Sequence, residues 1–569
     1  MRRLFGLLAT ERRAIANIYL YAIINGLLNL SLPLGIQAIL GFTLANTIST
    51  SWILLIIGVT VGTALLGIMQ IMQLSITEML QQKIFARSAF EFAYRIPRLR
   101  LEALFSYYPP ELINRFFDTV NLQKGIPKIL IDFSTALLQI LFGLILLSFY
   151  HPFFVFFGFF LLALLVVIIR ITGPMGLKTS MQESDLKYSV VFWLEELART
   201  LKTFKLGGDS YLPIKKTDQL AARYIGARKQ HFRVLIFQYG VIVGFKTIIT
   251  AGLLILGSIL LIEREINLGQ FVASEIIIIL IINSVEKLVL SADTVYDVLT
   301  SLEKLGKVTD LPVDRTDGMS FREVDRGEPM AVRMQHLSYT YPGDPNPSLS
   351  DLSLEAPAGS RICIVGENAS GKTLVLNLLS GLYENFTGTL AYNHIPYGNY
   401  DPASLRGYIG DFLSQKVLFR GTLLENLTMA RPEIKLEDVL WALDSLGLTE
   451  FVQTLPKGLD TYVAPEGPQW PESIVRKFIL AKCIAKKPRL LVMDDLLGSL
   501  QPDDRKQVID FLVSERRWTI IAVSNDPYLA SRCDEVYVMA HGSVVDQGSF
   551  DEIRSRSYAS RLFSGHISA

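Results

Sequence analysis

A polytopic α-helical membrane domain followed by an α/β domain with a parallel sheet is the fold class this sequence predicts. Three observations carry it. Long apolar runs cluster in the first half of the 569 residues, and none comparable follows. The second half alternates short β-branched runs with amphipathic stretches, and one strand-to-helix seam there holds a complete phosphate-loop pattern. The bulk composition agrees: 50% of residues are hydrophobic and 19% charged, too apolar for an ordinary soluble chain.

The runs occupy residues 15–43, 52–76, 128–149, 152–172, 234–262 and 270–290. Each is near or above the roughly 20 residues that cross a bilayer as a helix. Six in succession argue against buried soluble helices and for six spans. Loop charge sets their orientation. The connectors 42–51, 150–153 and 263–269 carry one arginine between them, whereas 1–13, 80–127 and 173–233 are rich in Lys and Arg. The basic segments are therefore expected on the cytoplasmic side, with both termini inside. The first run is too long for a signal-peptide core and lacks a small-residue cleavage site, so it reads as a retained anchor. The net charge of +1, with no basic stripe, points to no nucleic-acid partner.

Lys246 and Glu286 are charged residues inside the last runs. Each lies about 20 residues from the middle of the 263–269 connector, roughly 30 Å at 1.5 Å per residue. Groups at that depth are expected to meet each other or to line the cytoplasmic part of a pathway. Snorkelling of Lys246 to the inner interface is the alternative. Cys363, Cys483 and Cys533 all follow the last run, so a disulfide framework is excluded and buried thiols in a reducing cytosol are expected.

Residues 300–331 are polar, charged and dotted with Pro and Gly, which marks a boundary. The expected division is a membrane domain over 1–315, a linker over 316–330 and an α/β domain over 331–569. Within the latter, 361–366 (RICIVG), 489–494 and 519–524 read as buried strands and 372–383 as a helix. That alternation calls for a parallel sheet covered by helices.

Gly366-Glu367-Asn368-Ala369-Ser370-Gly371-Lys372-Thr373 matches G-x(4)-G-K-[ST] at a strand-to-helix seam. Gly371 lets the backbone approach a phosphate. The loop from Gly366 through Asn368, Ser370 and Gly371, with Leu374 in the helix start, turns its amides toward the anion. Lys372 is expected to reach the β- and γ-phosphates, and Thr373 to ligate Mg2+. Asp494 closes an apolar strand where a second acid can hold Mg2+ through water. Asp495 follows in the position of a water-activating base.

Taken together, these features resemble an ABC exporter half-transporter over nearly the whole chain. LSYTYPG (337–343) resembles the segment whose aromatic stacks on adenine, here Tyr341. VLFRGTLLENL (417–427) resembles the stretch after the family's Q-loop, VSNDPYLA (523–530) its switch strand, and HGSVVDQGSFDEI (541–553) its C-terminal hairpin. In the membrane half, ELINRFFDTVNLQKGIP (111–127) and LGQFVA (268–273) are most like exporters of peptides and proteins in type I secretion. The resemblance implies binding of ATP with Mg2+, a lipid bilayer environment and a second half-transporter as homo- or heterodimer partner. It also implies a bacterial inner-membrane location with the cassette in the cytoplasm, and it allows a periplasmic adaptor and outer-membrane duct. Coupling helices are expected near Pro109–Phe117 and Leu197–Phe204, the second docking on the opposite cassette. The first run opens at residue 15, and no N-terminal peptidase domain is expected ahead of it.

The departures from the family are specific. Its L-S-G-G-Q signature falls on Trp470, Pro471, Glu472, Ser473 and Ile474. Glu472 would bring negative charge toward a phosphate and Pro471 removes a backbone donor. Ser473 is placed either to offer its hydroxyl to the nucleotide or merely to cap the next helix. Asp495 replaces a catalytic Glu, and Asn525 a switch His. Ser414 aligns with the Q-loop Gln while Gln415, one residue beyond, would reach the metal. Gln501 stands for an Asp and Ala369 for a loop glycine, the latter a mild change. Sites in this family join one chain's phosphate loop to the other chain's signature, so every pairing of this chain inherits a lesion. Two readings follow. One is an ATP-dependent exporter of a peptide or protein with slow or partner-dependent hydrolysis. The other is an ATP-binding switch, regulatory or scaffold subunit.

Overall fold

The computed structural model describes residues 11–44, 50–413, 417–464, 470–494, 500–556 and 561–563, with backbone alone at 109, 110 and several positions between 153 and 168. The chain forms two compact units, one of Met1–Pro97 and Tyr107–Leu311, the other of Arg98–Ser106 and Pro312–Ala569.

The first unit is helical: α1 (Arg12–Asn29), α2 (Ser31–Leu44), α3 (Thr50–Arg95), α4 (Pro109–Asn114), α5 (Asp118–Ser148), α6 (Phe153–Arg199), α7 (Leu201–Leu206), α8 (Leu212–Ile262) and α9 (Leu268–Thr309). Among the described residues five stretches are long and apolar enough to cross a membrane: Arg12–Leu44, Thr50–Arg98, Glu111–Ser148, Leu212–Ile262 and Leu268–Thr309. The run expected at 152–172 lies in α6, where several of the early side chains are outside the described set. Helices α3, α6 and α8, of 46, 47 and 51 residues, are about 70–77 Å long. That is more than twice the roughly 30 Å hydrocarbon core. The excess is the basic sequence.

Local chemistry explains where α9 begins. Asn267 Oδ1 accepts from Gln270 N (2.8 Å) and Gln270 Oε1 accepts from Asn267 N (2.9 Å), a capping box at the connector. Ala273, Ile277, Ile281 and Val285 then recur at four-residue spacing as a wholly buried face of α9. Ile277, Ile281 and Val285 share a core with Ile140 of α5 and Ile249 of α8. Gly143 permits the close approach of α5 to α9, since a Cβ there would lie 2.9 Å from Ile281 Cγ1.

The second unit is built on strands β1 (Val332–Tyr339), β2 (Leu349–Ala356), β3 (Arg361–Gly366), β4 (Phe386–Tyr392), β5 (Ile395–Pro396), β6 (Ile409–Phe412), β7 (Gly421–Thr422), β8 (Tyr462–Val463), β9 (Leu490–Met493), β10 (Thr519–Val523), β11 (Glu535–Ala540) and β12 (Ser543–Gly548). They form a six-stranded sheet in the order β12-β11-β3-β10-β9-β6, and a four-stranded antiparallel sheet in the order β2-β1-β4-β5. The three strands expected from sequence are β3, β9 and β10. Every residue of β9 and β10 is buried, as a parallel strand covered on both faces requires.

The division between units differs from the expected one. The chain crosses into the second unit at Pro312, and residues 316–330 are not a free linker. Phe321 is fully buried against Tyr400 and Tyr408. Asp325 accepts two hydrogen bonds from the Arg489 guanidinium, at 3.0 and 3.1 Å. Polar composition hid one buried aromatic anchor. Residues 98–106 also belong to this unit. Arg100 N donates to Pro312 O (3.0 Å), Asp314 N donates to Arg98 O (2.7 Å), and Leu99 bridges to Val313.

Candidate nucleotide site

Parallel pairing brings the site together. β3, β9 and β10 run in register, with Ile364 beside Val523 and Met493 beside Ala522. Their carboxyl ends therefore deliver Gly366, Asp494 and Asn525 to one edge of the sheet, the usual place for a ligand in an open α/β sheet. A cleft of about 640 Å³ opens there, lined among others by Tyr341, Lys372, Thr373, Asp494, Asn525 and His541. Asn368, Ser370, Gly371 and Leu374 line it too.

The phosphate loop turns from β3 into helix α10 (Lys372–Leu379). Gly371 sits at φ 97°, and a Cβ there would come 2.7 Å from Leu349 Cδ2, so only glycine fits. Ala369 adopts φ 62°, a left-handed conformation that strains any residue with a Cβ. The replacement of a loop glycine there, expected to be mild, therefore carries backbone strain. Lys372 Nζ donates to Gly366 O (2.8 Å), Glu367 O (2.6 Å) and Ser370 Oγ (3.3 Å), which holds the ammonium within the loop. Ser370 is buried, and its carbonyl accepts from Gly542 N at 3.2 Å.

Thr373 Oγ1 donates to Asp494 Oδ2 at 3.2 Å. A hydroxyl from the first turn of α10 and a carboxylate from the end of β9 thus stand side by side, a hard-oxygen pair suited to Mg2+. Asn525 does something its sequence position did not suggest. Its Oδ1 accepts from Gly366 N (3.2 Å) and its Nδ2 donates to Gly366 O (3.2 Å). A carboxamide offers donor and acceptor side by side, which an imidazole does not. Asn525 therefore latches the end of β10 to the start of the phosphate loop.

Tyr341 meets Phe105, Tyr339 and Tyr383 edge to face, with centroids 5.3, 5.3 and 6.1 Å away. Burial raises its phenol pKa, so the ring stays neutral. Sequence reasoning missed Phe105 and its neighbour Glu102. The buried Glu102 accepts from Glu384 N and Asn385 N, both at 2.9 Å, and from Asn385 Nδ2 at 3.2 Å. One of the two coupling helices was expected near Pro109–Phe117; α4 lies in the first unit, and residues 98–106 belong to the second. Backbone donors at Glu384 and Asn385 leave no pattern in the sequence around a glutamate so far before them. Glu102→Ala is expected to lower the stability of this unit by about 2–3 kcal/mol, because buried donors lose their acceptor. Glu102→Gln, which keeps one carbonyl oxygen, loses less. Thermal unfolding of the purified chain reads the difference.

In the segment where the signature was expected to fall, Trp470 packs on Phe451 and Phe478, both with centroids at 5.4 Å. Helix α11 (Glu472–Ala485) starts after Pro471, which occupies the N-cap. Ser473 is therefore inside the first turn and does not cap, contrary to that reading of it. Glu472 is paired with Arg476 at 2.6 and 3.1 Å, so its charge is neutralised within its own helix. Gln501 stands at the N-cap of helix α12 (Pro502–Ser514). Ser414, Gln415 and Asp495 lie outside the described residues. The thiols are buried at Cys363 and Cys483 and half-buried at Cys533. Burial pushes Cys483 up to about 12, so it remains a thiol at neutral pH.

Residues 15–285 match the family described as "ABC transporter transmembrane region", and residues 349–497 the family described as "ABC transporter". Among similar proteins, the putative multidrug export ATP-binding/permease protein YgaD of Bacillus subtilis is 26% identical over 51% of this chain and 50% of its own length. The alpha-hemolysin translocation ATP-binding protein HlyB of Escherichia coli O157:H7 is 25% identical over 64% of this chain and 51% of its own. The chain thus spans about half the length of these relatives. The transport/processing ATP-binding protein ComA of Streptococcus pneumoniae R6 aligns over 96% of this chain and 76% of its own, at 22% identity. A solved structure of a bacterial Atm1-family ABC exporter with ATP bound superposes with a TM-score of 0.86 over 99% of both chains, at 17% identity. That last likeness is one of fold.

Proposed function

This chain belongs to the ABC transporters, as an exporter-type fusion of a helical membrane domain with an ATP-binding cassette, and from that premise we propose that it is one half of an ATP-driven exporter of a peptide or protein. The observation that carries the reading is the convergence of Lys372, Thr373, Asp494 and Asn525 on one cleft at the carboxyl edge of the sheet. Lys372 and the loop amides bind the phosphates, Tyr341 offers its ring to the base, and Thr373 and Asp494 hold Mg2+. The metal, when bound, neutralises charge on the β- and γ-phosphates. In this reading Asp495 activates water, Gln415 reaches the metal, and Ser414 and Ser473 serve the nucleotide, Ser473 that of a second chain.

An integral membrane protein of this family with one cassette needs a second half-transporter, identical or different, to complete a composite site. We place the cassette and termini in the cytoplasm on the asymmetry of Lys and Arg between the loops, and the chain in the inner membrane of a bacterium on the type I secretion resemblance. A periplasmic adaptor and outer-membrane duct fit the type I secretion resemblance. Hydrolysis is slow, since Pro471, Asp495 and Asn525 each replace a group that closes or drives the site. Purifying the complex and identifying its chains tests this. Two half-transporters and a low ATPase rate, lost on Asp494→Asn, are expected. A single-copy chain, or one with a brisk rate as a homodimer, refutes it.

A further inference from the structure

The membrane unit contains a row of four charges that the cassette chemistry does not use. Lys246 Nζ of α8 lies 3.4 Å from Glu286 Oε2 of α9, and Lys287 Nζ of α9 lies 2.8 Å from Asp132 Oδ1 of α5. Because Glu286 and Lys287 are adjacent, the row crosses three helices with alternating sign: Asp132, Lys287, Glu286, Lys246. All four share one depth. Measured along the helices, the spans from Asp132 to Ser148, from Lys246 to Ile262 and from Leu268 to Glu286 are each about 24–27 Å at 1.5 Å per residue. The row therefore stands that far from the short connectors, still within the reach of a ~30 Å hydrocarbon core.

Two observations argue that the row does more than tie helices together. A tether would cover both partners, yet the ammonium side chains of Lys246 and Lys287 are 48% and 47% exposed over carboxylates at 25% and 12%. The polar surface also continues past the row into the apolar part of α5. Lys124, Lys128, Asp132, Thr135 and Gln139 recur every three or four residues, one stripe of a helix. Gln139 Oε1 accepts from Ser284 Oγ at 2.9 Å, and Thr135 Oγ1 is buried with no hydrogen-bond partner among the described residues. On the other side of α5, Phe133, Leu137, Leu141 and Ile145 form an exposed apolar stripe suited to lipid. The apolar stripe suits hydrocarbon, whereas the polar one runs beside α9 and holds a buried hydroxyl that a water would satisfy.

We infer that this row is a binding site, on a hydrated wall of the membrane domain, for the charged groups of a zwitterionic, peptide-like cargo. The inference rests on the exporter reading and names what its membrane unit recognises. A cargo carboxylate pairs with Lys246 or Lys287, and the carboxylate so released, Glu286 or Asp132, takes a cargo ammonium. Every charge in the row keeps a partner, so none is left alone in a medium of low dielectric. A lipophilic cargo would have no use for such a row.

The test uses the full chain in lipid nanodiscs without nucleotide, so its outcome is independent of ATP binding. Single cysteines at Thr135 and Gln139 are compared with ones at Leu137 and Leu141 for reaction with a membrane-impermeant maleimide, read by peptide mass spectrometry to separate them from the cassette thiols. At least about tenfold faster labelling of the first pair is expected; equal rates on both stripes overturn the hydrated wall. Binding is then measured by fluorescence anisotropy with two peptides bearing a neutral dye, one of alternating Lys and Glu, one of Ser and Gly. The charged peptide is expected to bind preferentially and to lose about tenfold in affinity on Glu286→Gln. The exchange Asp132→Lys with Lys287→Asp, which keeps a pair, is expected to retain binding. Equal binding of the two peptides, or no effect of Glu286→Gln, reduces the row to a tether and overturns the site. Binding governed by anionic lipid content, and not by peptide charge, assigns the lysines to headgroups and overturns it equally. Failure of the exporter reading itself shows elsewhere, as absence of MgATP binding by the same preparation.

Discussion

Lys372→Ala is expected to lower the affinity of the purified chain for MgATP by about two to three orders of magnitude. The ammonium is held within the phosphate loop, where it donates to Gly366 O, Glu367 O and Ser370 Oγ. Truncating one partner of a desolvated charge pair costs roughly 2–5 kcal/mol, and each 1.4 kcal/mol is about tenfold in affinity. Stability without nucleotide is expected to change little, because Glu367 is exposed to water and Gly366 O keeps its hydrogen bond from Asn525 Nδ2. Titration with a fluorescent ATP analogue, alongside thermal unfolding, separates the two effects. Unchanged affinity would remove the phosphate loop from the proposal.

Repair of the chemical groups is expected to fail when done piecemeal. On the proposed reading Asp495→Glu and Asn525→His put back a catalytic carboxylate and a switch imidazole, and losing one transition-state group typically costs about 100- to 1,000-fold in turnover. The gain on repair is expected only where the facing signature is sound, as in a heterodimer. In a homodimer residues 470–474 must be rebuilt as well, since Trp470 is packed on Phe451 and Phe478 and Pro471 caps the helix. Asn525→His carries its own penalty: it breaks both hydrogen bonds to Gly366, and the loop that binds phosphate loosens. We therefore expect Asn525→His alone to weaken MgATP binding while leaving turnover low, and the full set to raise turnover by at least about a hundredfold. Steady-state ATPase assays with the KM and kcat effects separated decide this, as groups acting in one site need not add. A large gain in kcat from Asn525→His alone would show that the latch is dispensable.

The sequence by itself determined whatever depends on spacing along the chain. Helical runs longer than a bilayer, the strands that became β3, β9 and β10, and the seam from Gly366 to Thr373 are all local patterns, and a bilayer or a buried parallel sheet leaves each few alternatives. Even the meeting of Lys246 with Glu286 was legible, because two helices joined by a short connector place equal counts at equal depth. Tertiary structure alone decided partners. Asp132 stands at the start of an apolar run, and nothing near it in the chain points to Lys287, four helices later in α9. Asn525 was legible as a replaced switch residue, but not as a clamp on Gly366, since a backbone N–H and C=O carry no sequence signature. Glu102 and Phe105 were invisible for the same reason, and the buried Phe321 was masked by polar neighbours. Periodicity records which face of an element is buried; which atoms meet from distant parts of the chain is settled only when the elements pack.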